Sequence, residues 1–476
     1  MNRYLFYIAY LLNFSFSQEL SNGLMLYTPY NGPDSSQITT YLTDENLNII
    51  NSWNHEYPPA SMAYLTKDST LWYPSRVPIP TMDSGGVGGR IQHIDWNNNI
   101  LWDFRLSNDS LQHHHDIEIL PNGNILILLW EKKSLQDALM MGREVIESPI
   151  QQMWSEAIYE IEPIGTDSAN IVWEWHLWDH LIQDIYPSLE NYGEIHDHPE
   201  LLNINLGVVG FGPAIDNADW IHYNSIHYNG ELDQIILSSR MMNEIYIIDH
   251  STSSEEAASH SGGNYDKGGD FLYRWGNPQN YVRGTNQPQI LNSQHSVNWI
   301  QSSYPGAGNI LIFNNFHYGQ NSAVIEISPP IQDDGTYHIE NGLPYEPYDW
   351  EWMYYNGNNI TGLFQSGAFR LYNGNTFITE ANEARMFEVT QDGEVVYNYS
   401  FGDFNEIINR AQKYPPDYLY NYLMGDINND QLLNLLDIIT IINLIINEQP
   451  FNQVADSNND YIIDIIDLIN FINIIL

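Results

Sequence analysis

Short apolar runs recur along the chain, and they end on aromatic residues. Ile49-Ile50-Asn51-Ser52-Trp53, Ile100-Leu101-Trp102-Asp103-Phe104 and Ile171-Val172-Trp173-Glu174-Trp175 alternate apolar and polar positions with the period of a half-buried strand. Phe271-Leu272-Tyr273-Arg274-Trp275, Tyr348-Asp349-Trp350-Glu351-Trp352 and Val395-Val396-Tyr397-Asn398-Tyr399 repeat the pattern. A second motif sets a tight turn before a strand. Leu120-Pro121-Asn122-Gly123-Asn124, Pro305-Gly306-Ala307-Gly308-Asn309 and Leu371-Tyr372-Asn373-Gly374-Asn375 lead into runs beginning at Ile125, Ile310 and Thr376. Asn and Gly tolerate the positive φ such turns need. A third motif follows at Ala157–Ile161, Glu244–Ile248, Ala323–Ile327 and Arg385–Val389.

The repeating unit therefore reads turn, strand, strand, aromatic-ended strand, and six such units fit the chain. Units of this kind predict an all-β, six-bladed β-propeller over residues 18–415. A β-sandwich is the competing architecture, but it leaves the sixfold aromatic ending unexplained. Excess length is assigned to loops. The longest, from about Trp178 to Asp219, carries His180, His196 and His198 among acidic residues, and with His176 these are read as structural. Gly85-Gly86-Val87-Gly88-Gly89 is likewise read as a structural loop.

After Leu423 the texture changes to Ile, Asn and Asp, which predicts a small helical module over residues 424–476. Asp426, Asn428, Asp430, Leu432, Asn434 and Asp437 fall at loop positions 1, 3, 5, 7, 9 and 12. Asp456, Asn458, Asp460, Ile462, Asp464 and Asp467 repeat that register. Oxygen ligands at this spacing, with a backbone carbonyl at the seventh position, suit two Ca²⁺ ions. Each loop opens into an apolar run with the makings of a helix. At the other end, Arg3, the apolar stretch Leu5–Leu12 and Ser15-Phe16-Ser17 read as a signal peptide over residues 1–17, so the expected location is secreted, periplasmic or at the cell surface. The apolar stretch is too short to span a bilayer.

Composition narrows the chemistry. Sixteen Lys and Arg against 60 Asp and Glu give a formal charge of −44, which argues against nucleic acid and anionic membranes as partners. The absence of cysteine excludes disulfides, thiolate metal sites and a thiol nucleophile. No phosphate-cradling loop precedes a helix, so no nucleotide cofactor is expected. Histidines cluster in His113-His114-His115-Asp116, in Asp219-Trp220-Ile221-His222-Tyr223-Asn224-Ser225 and in Gln294-His295-Ser296. Each cluster opens a blade, where first strands line the central channel, so the three are expected to converge. Ser238-Ser239-Arg240 would bring a guanidinium to the same channel. On residue type alone, a zinc site from His115, His222 and His295 stays open, as does a propeller that binds glycan or protein without catalysis.

The blocks His114-His115-Asp116, Leu120–Asn124, Asp219–Ser225, Ser238-Ser239-Arg240 and Gln294-His295, with Ile171–Trp175, resemble the bacterial arylsulfotransferases from roughly residue 90 to 400. The resemblance implies a six-bladed enzyme that moves a sulfuryl group from a phenolic sulfate donor to a phenol acceptor without a nucleotide sulfate donor. It further implies His295 as the nucleophile that becomes transiently sulfated, with His115, His222 and Arg240 holding the sulfuryl oxygens. The disulfide of some relatives cannot form here. The C-terminal pair of loops resembles a type I dockerin, which implies a cohesin-like protein partner. It departs from a sensor-type loop in carrying Asp at the twelfth position and Gln431 and Tyr461 where Gly is usual.

Overall fold

The computed structural model describes residues 20–32, 35, 37–210, 217–284, 287–357, 360–401, 406–419, 425–427, 433–446, 455–457 and 462–475. The signal-peptide expectation lies outside them. Residues 1–65 with 70–415 form one compact unit, and residues 66–69 with 416–476 form a second.

The first unit is a six-bladed β-propeller of four-stranded antiparallel sheets. Blade one runs through Tyr64–Leu65, Leu71–Arg76, Gly89–Ile94 and Ile100–Arg105. Blade two runs through Leu111–Ile119, Ile125–Ser134, Gln152–Ile164 and Ser168–His176; blade three through Tyr223–Asn229, Gln234–Ser239, Glu244–Asp249 and Tyr273–Trp275. Blade four is His295–Trp299, Ile310–Tyr318, Asn321–Ile327 and Trp352–Tyr354, and blade five is Gly367–Arg370, Thr376–Glu380, Arg385–Val389 and Val395–Ser400. Blade six closes the ring from both ends of the unit. Its inner strand Gln412–Tyr414 pairs with Leu24–Tyr27, followed by Ile38–Thr43 and Ile49–His55.

Every aromatic ending read from the sequence belongs to the last strand of a blade or to its approach, and the indoles explain why. Trp53 Nε1 donates to the Asp95 carbonyl of blade one at 2.8 Å, and Trp102 Nε1 to the Ser168 carbonyl of blade two at 2.8 Å. Trp275 Nε1 reaches the Pro347 carbonyl and Trp352 Nε1 the Gln391 carbonyl, both at 2.7 Å. Each is a tie from one blade's outer strand to the first residue of the next blade's outer strand or to the connection before it. The ring fills the interblade gap, while the N–H satisfies a carbonyl that the sheet leaves free. Trp175 Nε1 makes a buried tie of this kind to the Gly269 carbonyl at 2.8 Å. Trp175→Phe leaves that carbonyl unpaired and is expected to cost about 1–3 kcal/mol, read as a lower midpoint in urea unfolding.

The segment between blades two and three carries short 3₁₀ turns at Leu177–His180 and Ile195–Asp197 and a two-stranded parallel ladder of Leu181–Ile182 with Leu202–Asn203. Leu177, Leu181, Leu202, Ile204 and Val209 pack into the same buried cluster as Trp130, Trp154 and Trp220. The insertion is therefore continuous with the core that backs the channel.

The second unit contains the helices Leu435–Ile446 and Ile465–Ile475. They open alike. Asp437 Oδ1 accepts the Ile427 N–H and Oδ2 the Asn434 N–H, each at 2.9 Å; Asp467 does the same for Ser457 at 2.7 Å and Asp464 at 2.9 Å. Ile438, Ile441, Leu468 and Phe471 form the small core of this unit. Asn428, Asp430, Leu432, Asn458 and Asp460 lie outside the described residues. Among the described residues the molecule is mostly strand with four short α-helices, and none is long and apolar enough to cross a membrane.

Candidate active site

The first strands of blades two, three and four lie side by side, and they carry His115, His222 at the strand's threshold, and His295. At each one the register slips: between His113 and Ile117, between Tyr223 and Ser225, and between His295 and Asn298. His115, His222 and Ser296 have φ of 50°, 57° and 55°. An L-residue in the left-handed region is strained, and such strain concentrates where a bulge re-aims a side chain. Three bulges at equivalent places turn these imidazoles out of the regular pleat.

His115 and His222 meet edge to face with ring centroids 4.6 Å apart. Both are buried, as is His295. Behind them stands a row of partners. His114 stacks on Trp130 at 4.3 Å, and its ring nitrogens lie 2.9 Å from His115 Nδ1 and 2.9 Å from Glu156 Oε2. Glu156 Oε1 accepts the Tyr223 N–H at 2.9 Å, which fixes the backbone next to His222. His222 Nδ1 is hydrogen-bonded to Asp219 Oδ2, which also accepts from Ser84 Oγ at 3.0 Å. Burial works against an ionised Asp219, but the His222 imidazole and further hydrogen bonds outweigh it, and its pKa falls below the usual value. Burial and the nearby Asp219 push Glu156 well above the ordinary range, while burial draws His114 down to about 3.

The protonation of His295 follows from its neighbours. Its Nδ1 lies 2.8 Å from Asn315 Oδ1 and 3.1 Å from the Ser293 carbonyl. The Asn315 amide nitrogen is committed to the Gly362 and Gln365 carbonyls at 2.8 and 3.0 Å, so its oxygen must face the ring. Two acceptors at one nitrogen require that nitrogen to carry the proton. In the neutral ring Nε2 then holds the lone pair. Burial, the positive charge of Arg240 and then His222 hold the His295 pKa well below 6.5. His115 is lowered by burial and then by His222, His114 and His295. The structure thus brings His115, His222, His295 and Arg240 into one electrostatic neighbourhood. Arg240 is placed there by its N–H to the His222 carbonyl at 3.1 Å, and Gln294 is pinned to the same strand end through the Ser239 carbonyl at 2.8 Å.

Three features escaped the sequence reading. Asn315, just past the apolar run Ile310–Phe313 within blade four's second strand, is the residue that sets the His295 tautomer. Arg410 brings a second guanidinium to blade two's inner strand, bonding Asp116 Oδ1 at 2.6 Å and Ser61 Oγ at 2.8 Å; Asp116 therefore neutralises Arg410. The glycine loop, read as merely structural, lies against the imidazoles. The His115 N–H donates to the Gly86 carbonyl at 2.6 Å, and a Cβ on Gly86, where φ is 71°, would sit 2.0 Å from His115 Nε2. Gly86→Ala should displace His115 and reduce turnover by about tenfold or more, measured as kcat/KM in a protein whose circular dichroism is unchanged.

This arrangement offers a neutral nitrogen nucleophile beside a guanidinium and two further imidazoles, which suits attack on an anionic, multiply oxygenated group. A family model described as Arylsulfotransferase (ASST) matches residues 67–329. No curated protein matches the chain at a significant level. Among solved structures it is similar to a Bacteroides caccae protein of unknown function, with 11% identity, TM-score 0.42, 83% of this chain and 99% of that one covered. It is similar to a periplasmic gluconolactonase of Pseudomonas aeruginosa, with 10% identity, TM-score 0.40, 83% of this chain and 100% of that one covered.

Proposed function

The chain belongs to the arylsulfotransferase family, and from that premise we propose that it is an exported aryl-sulfate sulfotransferase working through a sulfohistidine, without a nucleotide sulfate donor. Membership supports arylsulfotransferase activity in general, with aryl sulfate and phenol as substrates. In the first half-reaction His295 Nε2 attacks sulfur, the S–O bond to the donor breaks, and the leaving phenolate takes the proton held by the His222–Asp219 pair, which the second half-reaction restores. In the second, the acceptor phenol's oxygen attacks the same sulfur, the N–S bond breaks, and the phenol proton passes to the His222–Asp219 pair. His115, His222 and Arg240 hold the sulfuryl oxygens, where charge-assisted donors are strongest in a buried site. A covalent relay divides one difficult transfer into two easier ones.

The observation that carries the mechanism is the Asn315-fixed tautomer of His295, which keeps the nucleophilic lone pair on Nε2. The test is 4-nitrophenyl sulfate turnover with and without added phenol. Nitrophenol release that requires the phenol supports transfer. Release without an acceptor would indicate a hydrolase, and no release with any phenol would favour a propeller that only binds. Since the depressed His295 pKa keeps the ring neutral into acid, kcat/KM should hold as pH falls through 6.5 and decline only well below it. Arg240→Gln removes a charge that opposes protonation, so its acid limb should move to higher pH.

Residues 1–17 are proposed as the export signal. The C-terminal unit is proposed as a dockerin-like module that takes two Ca²⁺ ions and a cohesin-like partner. Its fit to calcium rests on charge: Asp426, Asp437, Asp456 and Asp467 are buried, while no Lys, Arg or His occurs from Tyr414 to the last residue. Four carboxylates buried at the first and twelfth positions of two loops in the same register form an oxygen donor set that suits a bound Ca²⁺. Asp426, Asn434, Asp437, Asp456, Ile462, Asp464 and Asp467 are the described residues that would hold it.

A further inference from the structure

We propose that His180, His260 and Asp270 form a divalent transition-metal site that clamps blade two to blade three, separate from the imidazole cluster of the channel. His180 ends the 3₁₀ turn after blade two's outer strand, and His260 and Asp270 lie between the third and fourth strands of blade three. One ligand atom from each lies within 4.8 Å of the others. His180 Nδ1 is 2.7 Å from Asp270 Oδ1, and His260 Nδ1 is 2.8 Å from the same oxygen.

The hydrogen bonding of His180 points to a cation at this place. Its Nε2 lies 2.8 Å from the Ala257 carbonyl, which can only accept, so Nε2 carries a hydrogen. In a neutral ring Nδ1 is then a lone pair aimed at a carboxylate oxygen. Such a contact needs a positive species between the two atoms, either a proton or a metal. A ligating histidine whose other ring nitrogen donates to a backbone carbonyl is the usual outer-shell arrangement of a metal site. The ring is also held in place. It stacks on Trp175 at an interplanar angle of 5°, and Trp175 in turn bonds the Gly269 carbonyl. A Cβ on Gly269 would lie 2.6 Å from His180 Nε2 and 2.1 Å from the Ala257 oxygen, so only glycine lets the chain approach this closely.

The donor set selects the metal. Two imidazoles and one carboxylate suit Zn²⁺ and its neighbours, whereas Ca²⁺ and Mg²⁺ prefer oxygen throughout. Bonds of about 2.0–2.1 Å in a tetrahedron put ligand atoms about 3.3 Å apart, so each nitrogen must draw back from Asp270 by roughly half an ångström. His180 and Asp270 are buried, but the His260 side chain is 61% exposed and free to adjust. That exposed edge leaves room for water as the fourth ligand.

The test uses the full chain with Ca²⁺ in excess, so that the C-terminal loops do not compete. Titration with Co²⁺ should raise visible ligand-field bands at one ion per chain, and Zn²⁺ should erase them. His260→Ala, a surface change that the fold tolerates, should weaken Co²⁺ binding by more than about 100-fold, and Asp270→Asn should do likewise. His196→Ala, at an exposed histidine of the same insertion as His180, should bind as the wild type. Zn²⁺ should also raise the melting temperature of the wild type and leave that of His260→Ala unmoved. An absence of bands at millimolar Co²⁺ would mean that a proton bridges His180 and Asp270, and the proposal fails. It fails equally if bands survive His260→Ala or vanish in His295→Ala alone, which would put the metal in the channel.

Discussion

His295→Ala is expected to reduce phenol-dependent turnover of 4-nitrophenyl sulfate by at least about 10³- to 10⁴-fold, the largest effect of any single change in this chain. The alanine removes the only atom that can form the N–S bond, so both half-reactions fail together and KM has little left to report. The loss must be separated from damage to the fold. His295 is buried and bonds Asn315 and the Ser293 carbonyl, so a lower midpoint in urea unfolding is expected as well. Two further readings decide the matter. Incubation with donor alone should add one sulfuryl mass to the wild type and none to the variant. Free imidazole, entering the space left by the side chain, should restore part of the nitrophenol release. A variant that kept a tenth of wild-type turnover would end the sulfohistidine reading.

The architecture was legible where a local signal had a repeated structural cause. Six aromatic endings stood out because an outer strand must cover the next blade, and an indole also caps a carbonyl there, as Trp102 does for Ser168. The closing of the ring was not legible. Gln412–Tyr414 has three residues and no pattern of its own, and only its pairing with Leu24–Tyr27 makes it a strand. The channel histidines could be read because each opens a blade and carries polar neighbours. What gives them their chemistry is non-local. Asn315 lies twenty positions beyond His295, and Gly86 reaches His115 from the preceding blade through a backbone carbonyl. No spacing in the sequence encodes either contact. His180 was read as structural for the same reason, since Asp270 is ninety residues away.

Asn315→Leu should lower kcat/KM by about 10- to 100-fold while leaving KM for the donor within a few-fold of wild type. Asn315 touches no reacting atom, so it is a positioning residue, and its effect must pass through the ring of His295. In the wild type its carbonyl and that of Ser293 both accept from Nδ1, and the other tautomer would set a lone pair against two oxygens. Leucine removes the nearer acceptor and keeps only the 3.1 Å contact to Ser293. The preference for the reactive tautomer shrinks, and the ring gains freedom to rotate. The same substitution takes the Asn315 donor from the Gln365 carbonyl and leaves the Gly362 carbonyl with its 3.3 Å bond from Ser322 Oγ, so a loss of stability of about 1–3 kcal/mol is expected as well. A purely structural role would end there. The tautomer argument adds a signature: in ¹⁵N spectra of labelled histidine, His295 should give a protonated Nδ1 in the wild type and a mixture in Asn315→Leu. Asn315→Gln offers the same acceptor on a longer arm and should recover part of the rate. If the variant kept full kcat/KM with the spectrum changed, the tautomer would have no bearing on the reaction; if neither changed, Ser293 alone would hold the ring.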